Sequence, residues 1–253
     1  MKLTFLGTGT SQGVPVIACT CPACQSTDPH DKRLRTAALI EHEDTTILID
    51  AGPDFRQQML RAEVKSLDSI LLTHEHRDHI AGLDDVRAFN FIQKRPMDIW
   101  AEKRVQNAIK KDFDYVFAEN KYPGVPDMRL NTIDGLPFNV NGINIIPIRA
   151  YHYKMPVYGF RFGDFTYITD ANFISEQEKE KIIGSKYLVI NALRKQKHIS
   201  HFSLPEALKF IAEISPRKAF ITHISHQMGF SKDVNKELPD NVCLAYDGLV
   251  VEC

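Results

Sequence analysis

The stretch "LLTHEHRDHIAG", residues 71–82, decides how this sequence is read. An apolar run delivers three histidines, an aspartate, a glutamate and an arginine to the six positions from His74 to His79, in a chain that holds 10 histidines in all. The order is H-x-H-x-D-H. In a tight loop after a strand, alternate side chains point the same way. His74 and His76 can therefore grip one ion while Asp78 and His79 turn toward a second. Imidazole and carboxylate together suit zinc, manganese or iron without singling one out. A solvated polar loop is the ordinary alternative, and this density of histidine outweighs it. Glu75 and Arg77 are then the outward-facing remainder.

The rest of the composition frames that loop. A chain of 253 residues suits one α/β domain, 1–253, with a sizeable core. Apolar residues make up 43% and charged residues 25%, the balance of a globular protein. The formal net charge of −1 gives no broad positive field for nucleic acid or anionic lipid. The opening "MKLTFLGTG" enters a strand pattern at once, without the long apolar region of a signal peptide. No apolar run approaches the roughly 20 residues that span a bilayer. A soluble cytoplasmic protein is expected, with no membrane partner. Of the five cysteines, Cys19, Cys21 and Cys24 cluster while Cys243 and Cys253 stand apart, which is metal arithmetic rather than disulfide arithmetic.

Strands are expected at "LTFLG", "TAALIEH", "TTILIDAG", "SILLT" and "DIWA", with helices in "PDFRQQMLRAE", "LDDVRAFNFIQ" and "KRVQNAIKKDF". From about residue 129 the pattern turns to strands ("RLNTI", "INIIPIRA", "YGFRFG", "FTYITD"). It then alternates through "YLVINA", the helix "LPEALKFIAEI", "KAFITH", a short polar helix and "VCLAYDGLVVE". Several strands end on a histidine or an aspartate: "LLTH", "IRAYH", "YITD" and "FITH". Residues at strand ends of a layered α/β fold converge on one edge, where sites are built. "GTGTSQG", residues 7–13, is not a dinucleotide fingerprint, since its spacing is G-x-G-x-x-x-G and Val14-Pro15 follows instead of a helix. Its glycines are expected to let backbone approach the metal edge closely.

H-x-H-x-D-H after a strand resembles the signature of the metallo-β-lactamase fold, and the likeness runs nearly end to end. Within that superfamily the chain most resembles the PhnP-type cyclic phosphodiesterases, through "CTCPAC" (residues 19–24) and "ITHISHQ" (residues 221–227). The resemblance implies an α/β fold, an αβ/βα four-layer sandwich, with a dinuclear site of zinc or manganese. It implies that His74, His76 and His152 hold one metal, that Asp78, His79 and His223 hold the other, and that Asp170 bridges them. A second constellation adds His226 to Cys19, Cys21 and Cys24. Three thiolates and an imidazole complete tetrahedral zinc and leave no position for substrate, so this is expected to be a closed, structural zinc site.

Two cations sharing a water leave hydroxide near neutral pH, and the expected reaction is attack of that hydroxide on a small, cyclic phosphodiester. Asp78 and Asp170 would orient it. His201, in "HISHFSLPEAL", matches a substrate-facing histidine of PhnP-like and RNase Z-like relatives and is the expected donor to the reacting phosphate. His198, in the Lys-rich loop "RKQKH", has no assigned role. Three other readings compete: an RNase Z-like tRNA 3′-processing nuclease, a thioesterase or lactonase on the same fold, and a non-hydrolytic PqqB-like protein. The nuclease carries a long Gly/Pro-rich arm, which residues 114–128 do not match; that segment reads as a loop or lid. The PqqB-like reading shares the early cysteines but is expected to lack the intact metal loop. Nucleic acid is not the expected partner, and a homodimer stays open. "LVINALR" puts Asn191 where many relatives in the family are expected to carry an acid.

Overall fold

The computed structural model describes residues 1–252; Cys253 lies outside them. Contacts group the chain into two compact units, one of Met1–Leu6, Ala37–Asp134 and Val250–Cys253, the other of Gly7–Thr36 and Gly135–Leu249.

The first unit is built on a seven-stranded sheet. Its strands are β1 (Lys2–Gly7), β2 (Ala37–His42), β3 (Thr45–Ile49), β4 (Ser69–Leu71), β5 (Met97–Ala101), β6 (Met128–Thr132) and a C-terminal strand, Val250–Glu252. The C-terminal strand lies beside β1, and the order then runs from β1 to β6. β2 and β3 form the expected hairpin, turning at Glu43–Asp44 and pairing Leu39 with Leu48, while β3 to β6 run parallel. Helices follow the parallel strands, because each crossover needs one. The helix Phe55–Arg61 buries Phe55 and Met59, and Lys103–Asp112 buries Val105 and Ile109. These side chains join Leu39, Leu48, Ile70 and Ile99 in one apolar core.

The second unit carries β7 (Phe138–Val140), β8 (Ile143–His152), β9 (Met155–Phe162), β10 (Phe165–Tyr167), β11 (Phe173–Ile174), β12 (Tyr187–Asn191), β13 (Lys218–Thr222) and β14 (Val242–Leu244). Their order is β11-β8-β9-β10-β12-β13-β14, with β7 paired to β8. β8, β9 and β10 are antiparallel, and β10, β12, β13 and β14 are parallel. The helix Leu204–Ile214 opens with a capping box, Ser203 with Glu206, and buries Leu204, Ala207, Phe210, Ile211 and Ile214 in this unit's own core. β7, β11 and the helix Glu176–Glu180 went unread in the sequence, being too short to show a period. Among the described residues, no helix is long and apolar enough to cross a membrane.

One turn of the first unit depends on glycine. Asp50, Ala51 and Gly52 leave β3 and press on the segment that bears His76, Asp78 and His79. Ala51 N–H donates to the His79 carbonyl at 2.8 Å, and Gly82 N–H to the Ala51 carbonyl at 2.9 Å. A Cβ on Gly52 would lie 2.0 Å from the Asp78 carbonyl oxygen. Gly52→Ala is therefore expected to destabilise the fold by about 3 kcal/mol, read as a lowered urea midpoint. An unchanged midpoint would show that the turn yields.

Candidate metal centre

β4 ends at Leu71, and the chain bends at Thr73 before the extended His76 that precedes the next helix. Asp78 and His79 differ from the expectation of a plain loop: they sit on a one-turn helix, Arg77–Ile80. The ring centroid of His74 lies 4.6 Å from that of His76 and 4.1 Å from that of His79. Asp78 Oδ2 is 3.2 Å from His79 Nε2. His74 and His79 are fully buried while His76 is exposed. Arg77 faces outward and pairs with Asp112 at 3.1 Å. Glu75 corrects the expectation, for it is half-buried against Arg104 rather than turned to water.

Beneath these rings lies a residue the sequence reading passed over. Asp50 is fully buried at the end of "ILID". Its Oδ1 accepts the Thr73 N–H at 2.9 Å, and its Oδ2 lies 2.7 Å from His79 Nδ1. Thr73 Oγ1 is 3.1 and 2.9 Å from the two Asp50 oxygens, so its single proton points there. His74 Nδ1, 2.9 Å from the same hydroxyl, must then be the donor. His79 and His74 thus both spend Nδ1–H inward, which makes Nε2 the end that could meet a cation, the arrangement that orients histidines toward a metal. Burial pushes the Asp50 carboxyl upward, with His79 opposing.

The second unit assembles its own cluster at strand ends. His152 closes β8, Asp170 follows β10 and His223 follows β13. His223 Nε2 lies 3.1 Å from Asp170 Oδ1, which also accepts the Thr169 hydroxyl at 2.7 Å. His152 Nδ1 lies 2.7 Å from the Ser200 carbonyl, so it too donates through Nδ1. His201 sits between, its ring 4.5 Å from His152 and stacked on His223 at 4.8 Å. One donor atom each from His152, Asp170 and His201 falls within 4.8 Å of the others. His198 stands 5.2 Å from His201, ring to ring. Burial first, and His223 next, drive the His201 imidazole down to about 2, which keeps it neutral.

Backbone strain accompanies the donors. Asp170 and His223 both have φ of 54°, and Asp50 has 63°. A non-glycine residue there costs roughly 1–2 kcal/mol and persists only where its surroundings hold it. His223 is held through its neighbour: Ile224 N–H donates to the Thr8 carbonyl at 2.8 Å, and Thr10 N–H to the Ile224 carbonyl at 3.1 Å. The "GTGT" turn thus braces the strand end that bears His223. Gly9 itself is needed for close approach to Arg33 and Leu34, since a Cβ there would lie 2.9 Å from the Leu34 carbonyl.

Cys19, Cys21, Cys24 and His226 also converge, each donor atom within 4.8 Å of the rest. His226 Nδ1 lies 3.4 Å from Cys19 Sγ and 3.2 Å from Cys21 Sγ. Tetrahedral zinc with ordinary Zn–S and Zn–N bonds sets such pairs ~3.5 Å apart, so the group fits one zinc with no coordination position left over. The Cys24 N–H, then His226, hold the Cys21 thiol down to about 6, whereas burial pushes Cys24 up to about 11. A bound dication deprotonates both. In the same unit, buried Arg33 donates to Thr8 Oγ1 at 2.7 Å and to Ser231 Oγ at 2.9 Å. Asp247 accepts Thr8 and Leu34, and Asp31 accepts Ser231. This network gave no sequence signal, because single charged residues in loops look solvated. Cys21→Ser is expected to lose about one zinc per chain and to lower the melting temperature. Constant total zinc would eliminate the closed site.

Residues 45–224 match the beta-lactamase superfamily domain. A solved structure titled as a new diphosphatase from the PhnP family is 35% identical, with a TM-score of 0.93, covering 100% of this chain and 97% of that one. The chain belongs to the beta-lactamase superfamily, in its PhnP family. The mixed α/β fold with two sheets is the metallo-β-lactamase fold. An octanoyltransferase of Porphyromonas gingivalis W83 is 39% identical over 252 residues, 98% of this chain and 51% of that protein. The chain thus spans about half the length of that curated relative. Zinc-bound PqqB from Methylobacterium extorquens shares the fold alone, at 19% identity and a TM-score of 0.80, with full coverage of both chains.

Proposed function

We propose that this member of the PhnP family is a metal-dependent phosphodiesterase that hydrolyses a small, cyclic phosphodiester. The observation that carries the reading is the set of buried imidazoles whose Nδ1 protons are committed elsewhere, to Asp50, Thr73 and Ser200, in a chain 35% identical to a PhnP-family diphosphatase. His74, His76, Asp78, His79, His152, Asp170 and His223 would hold two divalent cations, zinc or manganese, in keeping with this N/O donor chemistry. When bound, these supply an activated water and neutralise charge on a phosphoryl oxygen.

The remaining work falls to side chains. Asp78 and Asp170 accept from the attacking water and aim it in line with the leaving oxygen. His201, neutral and buried, donates an N–H to the charge developing on the phosphoryl group or to the leaving oxygen. Burial of His74, His79, His201 and His223 keeps the local dielectric low, which strengthens each of these contacts. Residues 114–128 begin with the one-turn helix Asp114–Phe117, fastened by a Tyr115–Asp84 hydrogen bond, and Tyr122 beyond it is exposed. A short segment of this kind suits a small substrate better than a polynucleotide.

The P. gingivalis relative supports a second reading, hydrolysis of an acyl ester or thioester, in which the same nucleophile attacks an acyl carbon. A panel separates the two: bis-p-nitrophenyl phosphate, 2′,3′-cyclic nucleotides, ribose 1,2-cyclic phosphate, pre-tRNA and an octanoyl thioester. Turnover is expected on the cyclic phosphodiesters. Turnover on the thioester alone would replace the phosphodiesterase reading with the acyl one, and turnover on pre-tRNA alone would revive the nuclease.

A further inference from the structure

Asn191 ends β12, and its side chain is fully buried. Its carboxamide lies flat against the backbone of Ala171: Oδ1 accepts the Ala171 N–H at 2.7 Å, and Nδ2 donates to the Ala171 carbonyl at 2.9 Å. The partners fix which end is oxygen, since an N–H needs an acceptor and a carbonyl needs a donor. A side chain here completes what would be one rung of a strand ladder.

Three donors of the second unit hang from that rung. Ala171 follows Asp170, whose φ of 54° needs a held neighbour. The Ala171 carbonyl also accepts the Phe202 N–H at 2.8 Å, and Phe202 follows His201. On the other side, Asn191 pairs with Thr222 in the β12–β13 ladder, and Ala192 N–H donates to the Thr222 carbonyl at 3.1 Å; Thr222 precedes His223. Asp170 is one residue from the group that this amide holds, and His201 and His223 are each one residue from a backbone group paired to Ala171 or to the end of β12.

We propose that Asn191 is a positioning residue that sets Asp170, His201 and His223 in mutual register, and that an amide is required there rather than an acid. The proposal rests on the reading of Asp170 and His223 as cation ligands. The contact demands one donor and one acceptor on a single planar group. Ionised aspartate would keep the acceptor for the Ala171 N–H but set a second acceptor against the Ala171 carbonyl, and it regains a donor only by holding a proton in this fully buried place. Leucine would fill a similar volume and leave the Ala171 N–H unmet.

The test uses Asn191→Asp and Asn191→Leu in the full chain, so that one variant remains if the other fails to fold. Amide hydrogen exchange is read first on metal-free protein. The Ala171 and Phe202 amides are expected to exchange at least about tenfold faster in the variants, while the Ile190 amide within β12 keeps its native protection. Cobalt(II) is then titrated. The affinity of the histidine–carboxylate site is expected to fall by about 10–100-fold with an altered visible spectrum, while the thiolate charge-transfer band of the cysteine site is unchanged. Native exchange and native cobalt spectra in both variants would overturn the role of Asn191 alone. Native protein that takes up cobalt only at the thiolate site would instead overturn the ligand reading on which the proposal stands.

Discussion

His79→Ala is expected to lower turnover on bis-p-nitrophenyl phosphate by about three orders of magnitude, and to remove about one cation per chain from the histidine–carboxylate set. Two effects add. The coordinating Nε2 is lost, and the Asp50 carboxylate, fully buried and 2.7 Å from His79 Nδ1, loses the partner that offsets its burial. The second effect also weakens the fold, by about 3 kcal/mol, so stability and metal content are measured on the same sample. Zinc at Cys19, Cys21, Cys24 and His226 should remain. Native turnover in a folded His79→Ala protein would show that His79 holds no catalytic cation.

His201→Ala is expected to lower kcat by about 10²–10³ and to leave metal content unchanged. The imidazole is buried against His152 and His223 and held neutral by that burial, so it enters as a hydrogen-bond donor and not as a ready cation. KM should change far less than kcat, because the donor is worth most where charge develops. The geometry also offers a different outcome. A His201 donor atom lies close enough to those of His152 and Asp170 to act as a ligand itself. Loss of a cation from His201→Ala would make it a ligand, and unchanged turnover would remove it from the chemistry.

The His74–His79 stretch was legible as a candidate ligand set because three histidines at H-x-H-x-D-H spacing are too dense for an ordinary surface turn, and an apolar strand leads straight into them. His152, Asp170 and His223 were legible as strand-end residues, and each stands at or just beyond a strand terminus. Asp50 shares that signal, since "ILID" ends a buried strand on an acid, yet a lone aspartate before Ala-Gly reads as a turn residue. Only the fold shows it beneath His74 and His79. Asn191 was visible as a departure from an expected acid, but its meaning needed the Ala171 backbone, which the chain brings from 20 positions away. Arg33, Asp31 and Asp247 were hidden for the same reason: their partners lie as far as 239 residues off in sequence. Periodicity finds elements that are long and half-buried, so it missed β7, β11 and the helix Glu176–Glu180.

Two classes of metal in one chain is the claim on which the rest depends, and counting them tests it directly. Elemental analysis before and after mild chelation, with turnover of a cyclic phosphodiester followed on the same samples, is expected to find about three divalent ions per chain. Two of them should leave together with activity and restore it when returned, and the third should stay with the cysteines. A chain that holds one ion, bound at the cysteines, and hydrolyses the phosphodiester equally well after chelation would contradict the account.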